Sequence, residues 1–341
     1  AIEQKERIVL YGDADLDGIT SVLIADEAIK SLGGSVVDHY FPDREKEGYG
    51  VTLKALERLK QHVPALLVTF DLGISNFEEV PMAKKLGFEV IVVDHHKVLG
   101  KLPKADIIVD PKQPGDTNPF KEFAACGLSL QLAKALLGKK MSDTLYQSMV
   151  ELAGLGTIAD MMAREQDNIQ IIQDGLDAIP YSWRPGIRAF LESDIFSNDA
   201  TLEAKIQQII GILNVRDTKD RQPGAFRLLS CLSLPKAKKM IEVFIEKNKI
   251  RREQIERAAD EVRMRVFHKK ADPVVFEGSE EFDYELLGAV ASITSQQTNK
   301  PAFIYKKSKK ELLGSVRAPS GYDTVNAMQA CAKNLDVYGG H

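Results

Sequence analysis

The sequence predicts an α/β protein, a parallel-sheet domain joined by a long helix to a smaller α/β domain. Three observations predict it. Apolar runs of strand length alternate with stretches of helical length as far as Asp110, the pattern of βαβ units whose sheet is covered on both faces. From Pro235 to Lys270 a charged stretch carries Ile241, Ile245, Ile255, Val262 and Val266 at approximate helical spacing. A fresh alternation of strand and helix begins at Pro273.

In order, Ile8 to Gly12 is a short buried strand, and Ile19 to Leu32 has helical length and a stop signal in Gly33-Gly34. Val36 to Tyr40 is a strand, Val51 to His62 a helix, Ala65 to Phe70 a strand, and Phe77 to Leu86 a helix closed by Gly87. Val90 to Val93 and Asp106 to Val109 complete the first five strands. Phe123 to Leu137 and Ser142 to Asp160 are helical, whereas Pro180 to Pro223 reads as helical pieces and loops. In the second domain, strands are expected over Val274 to Phe276, Ala302 to Tyr305 and Leu312 to Val316. Leu286 to Gln296 reads as strand, turn and helix, and Tyr322 to Ala332 as a helix. The expected boundaries are residues 1–195 for the first domain, 196–270 for the helical connector and 271–341 for the second, truncated at its C-terminus.

Composition narrows the function. A hydrophobic share of 44% and a charged share of 28% exclude disordered and fibrous classes. Apolar runs stop well short of the ~20 residues of a membrane span, and Ala1 to Arg7 lacks a signal-peptide core. No membrane association is expected. Three cysteines, Cys126, Cys231 and Cys331, fit neither a zinc pattern nor a disulfide framework, so a reducing cytoplasm is the expected location. The formal net charge of -4 argues against indiscriminate coating of duplex DNA. Charge is segregated, however: Lys236 to Lys270 holds twelve Lys/Arg against six Asp/Glu, a net of +6 that leaves -10 elsewhere.

The chemistry gathers where strands end. Asp13-Ala14-Asp15-Leu16-Asp17-Gly18 follows the first strand, Asp71 the third, Asp94-His95-His96 the fourth, and Asp110-Pro111 the fifth. Open parallel sheets bind ligands outside the carboxyl ends of their strands, so these sequence-distant groups become neighbours there. The first run resembles the opening of a calcium EF-hand loop, but the twelfth position is Ile24 rather than a bidentate Glu. A solvated acidic turn is the plainer alternative, and three alternate carboxylates repel one another unless a cation neutralises them. Asp71 near Ser75 also fits a helix N-cap, and Asp160 a terminal solvent-facing acid. His95 and His96 cannot both point the same way on an extended chain, which suits one metal ligand and one phosphate-facing group. Up to six carboxylates with one or two imidazoles and no thiolate suit Mn(II) or Mg(II). Two such ions sharing a bridging acid are the arrangement for phosphodiester hydrolysis.

The series Tyr11 to Ser21, Asp71-x-Gly73-Ile74-Ser75, Val93-Asp94-His95-His96 and Gly156-Thr157-Ile158-Ala159-Asp160 resembles the four motifs of the DHH phosphoesterase superfamily, its RecJ exonuclease branch in particular. Gly314-Ser315-Val316-Arg317-Ala318-Pro319-Ser320-Gly321, with Tyr338-Gly339-Gly340-His341, resembles the DHHA1 substrate-binding domain. The resemblance implies a 5′-to-3′ exonuclease on single-stranded DNA working by two-metal-ion hydrolysis with Mn(II), Mg(II) being the alternative ion. It implies metal ligands at Asp13, Asp15, Asp17, Asp71, His95 and Asp160, catalytic roles for His96 and Asp94, and substrate contacts at Asn214, Arg216, Ser315, Arg317, Gly339, Gly340 and His341. Ala318 departs from the Ser that the family commonly carries after its Arg. The alternatives are an oligoribonuclease, a cyclic-dinucleotide or phosphoadenosine phosphatase of the same superfamily, and a catalytically silent scaffold, which would be expected to have lost the motif acids. Tyr181 and Trp183 are read either as base-stacking groups or as core.

Overall fold

Consecutive apolar side chains give the central strands two buried faces, and the sheet they form carries the site on one edge. The computed structural model describes residues 1–269, 271–308, 312–336 and 338–339. Contacts divide the chain into two units, Ala1–Phe244 and Ile245–His341. In the first, β1 (Arg7–Gly12), β2 (Ser35–Tyr40), β3 (Ala65–Phe70), β4 (Phe88–Val93) and β5 (Ile107–Val109) form one sheet of order β2-β1-β3-β4-β5. Every pairing is parallel. Strand order reverses between β1 and β3, which is where doubly wound sheets place their ligands.

Helices cover both faces. Val9, Tyr11, Leu67, Val90 and Val92 pack with Ala55, Leu56 and Leu59 of α3 (Leu53–Leu59) and Val80 and Ala83 of α4 (Glu79–Leu86). On the other side lie α1 (Leu16–Ser31), α5 (Ala125–Leu137) and α6 (Asp143–Ala159). A short α2 (Arg44–Glu47) follows β2. The unit continues through α7 (Gln166–Ala178), α8 (Pro185–Leu191), α9 (Leu202–Leu213), a hairpin of β6 (Thr218–Lys219) and β7 (Gln222–Pro223), and α10 (Gly224–Leu229). The expected helices thus form with shifted ends, while α2 and α7 were not expected.

Lateral hydrogen bonds stitch the strand ends together. The Asp13 N–H donates to Phe70 O (3.2 Å), the Asp71 N–H to Val93 O (3.0 Å), and the Asp94 N–H to Val109 O (3.0 Å). Three acids from three strands are therefore fixed side by side. Behind them α1, α5 and α6 approach closely through Gly156, where an added Cβ would stand 2.4 Å from Thr20 Oγ1 and 2.6 Å from Cys126 Sγ.

The second unit takes up α11 (Leu234–Phe267) beyond Phe244, inside the segment 196–270 expected as connector. It adds β8 (Val275–Ser279), α12 (Leu287–Thr298), β9 (Ala302–Lys307), β10 (Leu312–Arg317) and α13 (Thr324–Ala330). Its sheet, of order β10-β9-β8, is mixed, β8 pairing parallel and β10 antiparallel with β9. Ile255, Ala258 and Val262 pack there with Leu287, Val290, Ala302 and Ile304. One expectation is corrected: Leu286 to Gln296 holds no strand, because Leu287, Val290, Ala291, Thr294 and Ser295 are buried at helical spacing. A short apolar run is ambiguous in sequence, and packing settles it. No helix among the described residues is long and apolar enough to cross a membrane.

Gly156→Ala is expected to push α6 off α1 and α5 and to destabilise the chain by ~1–3 kcal/mol, as overpacking of a tight core does. The shift in urea midpoint at unchanged slope measures it, and an unshifted midpoint contradicts the close approach.

Candidate metal centre

Each acid reaches the site by a local backbone device. Asp15 is the N-cap of α1, its Oδ1 accepting the Gly18 N–H at 3.1 Å. Asp17, in the first turn of the same helix, accepts the Ala125 and Cys126 N–H groups, both at 2.8 Å. It thereby caps α5, whose own N-cap residue Ala124 makes no side-chain cap bond. Asp71 sits at φ +62°, a left-handed conformation that Asp tolerates better than most residues. Asp160 is the C-cap of α6, and Met161 at φ +57° turns the chain away behind it.

Three of these acids converge on His95. Its buried Nε2 lies 3.1 Å from Asp71 Oδ1, 3.6 Å from Asp160 Oδ2 and 3.8 Å from Asp17 Oδ2. Three overlapping sets have ligand atoms within 4.8 Å of one another: Asp13, Asp15 and Asp71; Asp17, His95 and Asp160; Asp71, His95 and His96. Asp71 and His95 each belong to two of them. All six residues expected as metal ligands are therefore brought together.

Burial, with charge crowding behind it, sets the electrostatics. Burial and then the charges of Asp15 and Asp17 hold Asp71 well above the usual carboxylate range. Asp160 is pushed up to about 9 by burial, then by Asp17 and Asp15, and Asp17 to about 6 by burial and Asp15. Asp15 goes the other way: although desolvation opposes it, the Arg44 guanidinium pulls it down to about 2. Arg44 Nη2 lies 2.6 Å from Asp13 Oδ2 and 2.7 Å from Asp15 Oδ2, and Nε donates to Asp13 Oδ1 at 2.7 Å. Sequence reading missed Arg44. The available signal was its place just after β2, at the same strand-end edge as the acids.

His96 and Asp94 form a close pair beside the cluster. The His96 Nδ1 lies 2.8 Å from Asp94 Oδ1, and Asp94 also accepts the His95 N–H (2.8 Å) and, through Oδ2, the Ile74 N–H (3.0 Å). Asp94 is buried, whereas His96 is 31% exposed in its side chain, enough for solvent or substrate to reach the ring. Although desolvation opposes both shifts, the pair holds Asp94 down at about 2 and His96 up at about 9. Asp110, beside Asp94 on the neighbouring strand, is raised to about 7 by burial.

The expected substrate contacts fall in both units. Asn214 is the exposed C-cap of α9, and Arg216 pairs with Asp43 (2.8 Å) and Glu45 (2.5 Å), the residues flanking Arg44. In the second unit the Arg317 Nη1 donates to Ser315 Oγ at 3.4 Å. A Cβ placed on Gly288, in the first turn of α12, would stand 3.5 Å from that hydroxyl and 3.8 Å from Arg317 Nη2. A helix N-terminus with no side-chain cap bond thus meets a guanidinium and a hydroxyl, the make-up of an anion site. Gly339 is exposed; Gly340 and His341 lie outside the described residues.

Residues 7–157 match the model of the DHH family, N-terminal domain. That segment is a DHH domain. Among relatives of the chain, the single-stranded-DNA-specific exonuclease RecJ of Bacillus subtilis (strain 168) is 32% identical over 347 residues, covering 100% of the chain and 43% of the relative. RecJ of Thermus thermophilus is 30% identical over 346 residues, covering 100% and 49%. The chain spans about half the length of the curated relatives it matches. Its fold superposes on RecJ from Thermus thermophilus in complex with Mn2+ with a TM-score of 0.79 at 26% identity, covering 100% of this chain and 49% of that one. A structure of exonuclease RecJ bound to manganese gives the same score and identity, covering 99% and 84%.

A carboxyl raised on folding contributes stability that is full below its unfolded value of ~4 and is lost as pH rises through the folded value. Asp17, Asp71, Asp110 and Asp160 are of this kind, and raised His96 acts in the same sense from its ordinary ~6.5 upward. Lowered Asp15 and Asp94 lose their contribution only in acid, as pH falls through about 2. Metal-free chain is therefore expected to melt at progressively lower temperature from pH 5 to 9, and saturating Mn(II) to reverse the trend. Melting curves across that range decide it; a metal-free Tm that rises with pH contradicts it.

Proposed function

We propose that the chain is a divalent-metal-dependent phosphodiesterase that removes nucleotides from the 5′ end of single-stranded DNA. The observation that carries this reading is the convergence of three carboxylates, Asp17, Asp71 and Asp160, on one buried imidazole, with Asp13 and Asp15 joined to them through Asp71 and His96 beside them. Manganese held by its structural relatives and the single-stranded-DNA specificity in its relatives' names support it. Mixed oxygen and nitrogen donors without thiolate fit Mn(II) or Mg(II), and carboxylates raised by burial and then by one another's charge are what a divalent cation would relieve.

Asp13, Asp15, Asp17, Asp71, His95 and Asp160 would hold two ions. When bound, such ions supply Lewis-acid polarisation of the phosphate and lower the pKa of an attacking water. Asp94 keeps the His96 ring charged and oriented through Nδ1, so the imidazolium donates to a phosphate oxygen as negative charge develops there. Ser315, Arg317 and the first turn of α12 would take a further phosphate of the strand. Asn214, Arg216, Gly339, Gly340 and His341 keep their assignment to nucleotide contact on the family resemblance alone. Freeing Arg216 for that role would cost its pairs with Asp43 and Glu45.

The test is digestion of a 5′-labelled single strand with Mn(II), beside 3′-labelled and duplex forms, with Asp71→Ala as control. Release of the 5′ label from single strands alone, abolished in the control, is expected. Sustained digestion from the 3′ end overturns the polarity, and faster turnover of a dinucleotide than of a long strand overturns the substrate class. His96→Ala is expected to lower kcat by roughly 10²-fold, the size of losing one transition-state donor, with Mn(II) affinity within about threefold of wild type. A large loss of affinity would make His96 a ligand instead.

A further inference from the structure

We propose that Arg184 is a positioning residue for the metal cluster, fixing the register of α1 against α6 so that Asp17 and Asp160 meet at His95. The proposal rests on the metal-centre reading of that cluster. Arg184 is 4% exposed and sits immediately before α8, remote in sequence from every motif. Its Nη2 donates to Glu27 Oε1 (2.6 Å) and to Ser148 Oγ (2.8 Å) and O (3.2 Å), its Nε to Glu151 Oε1 (3.0 Å), and its Nη1 to Leu229 O (3.2 Å). Ser148 Oγ in turn donates to Glu27 Oε2 at 2.9 Å. Glu27 belongs to α1, and Ser148 and Glu151 to α6. One guanidinium therefore binds both helices.

Those two helices carry acids of the cluster at their other ends. Asp17 lies ten residues before Glu27 and Asp160 nine after Glu151, roughly 15 Å and 14 Å along the respective axes. At the site end the contact between α1 and α6 is steric, Gly156 against Thr20. Small-residue contacts resist approach but permit sliding. A slide of one helix along the other passes undiminished down a rigid rod, and coordination tolerates misplacement of only about 0.5 Å. Charge-assisted bonds to a forked guanidinium are directional and oppose sliding. Nor does stability account for the cluster: burying an arginine with Glu151, itself 1% exposed, commonly gives no more than an apolar group of the same volume.

Arg184→Lys keeps the charge and loses the fork. Arg184→Met combined with Glu27→Gln and Glu151→Gln removes all three charges and leaves none uncompensated. Both variants of the full chain are titrated with Mn(II) by calorimetry, alongside circular dichroism and melting. Both are expected to fold and to bind Mn(II) 10- to 100-fold more weakly, the usual cost of losing support behind a ligand. Activity should be restored by excess Mn(II), a recovery that a merely structural lesion would not show. Wild-type Mn(II) affinity in the triple variant overturns the proposal. So does a triple variant that is unfolded, since the cluster would then serve the fold itself. Amide exchange separates this claim from the metal reading: with or without metal, faster exchange at the start of α1 and the end of α6 is expected in the variants, and unchanged exchange there overturns it. Absence of Mn(II) uptake by the wild type would instead count against the metal centre.

Discussion

Repulsion among carboxylates at the carboxyl edge of a parallel sheet is the constraint on which this molecule depends. Asp13, Asp71 and Asp94 are locked side by side by backbone hydrogen bonds between strand ends, so they cannot relax apart. Asp17 is held by two amides of α5 and Asp160 by the end of α6. A rigid frame thus keeps like charges close, and the cost appears as raised proton affinity at Asp71 and Asp160. Protons, Arg44, the His96 ring and divalent ions are positive partners available to such a set. Groups forced to choose among them make a site responsive to metal.

Environment divides labour between chemically identical residues. His95 is buried within the acids, whereas His96 is reachable from outside and paired with Asp94. Asp15 is low because Arg44 faces it, while burial, and then the charges of Asp17 and Asp15, keep Asp160 high. The same reasoning covers the second unit, where Ser315, Arg317 and the first turn of α12 gather donors at one corner. Donors suit an anionic substrate, and acids suit cations.

The frame itself rests on helix packing. Gly156 admits Thr20 and Cys126 at a distance that no side chain would allow, bringing α1, α5 and α6 together beneath the cluster. At the opposite end Arg184 joins α1 to α6 through three side chains and a carbonyl. Close packing there governs approach, and hydrogen bonds govern register. A site built from several helices needs both.

The sequence alone determined the sheet and which acids end its strands. Strand-length apolar runs ending in Asp13, Asp71 and Asp94 made a parallel sheet with acids on one edge legible, because side-chain alternation and strand termination are local properties. The motif acids and His95 were readable for the same reason. Arg44, Arg184 and the role of Gly288 were not, since each acts through partners far along the chain, 157 positions away for Arg184 and Glu27, that only folding brings near. The strand expected at the start of Leu286 to Gln296 gave way to helix, because a short apolar run carries no period long enough to tell helix from strand. Tertiary structure decided proton affinities too: which charge faces which carboxylate depends on distances across the chain, and local sequence contains none of them.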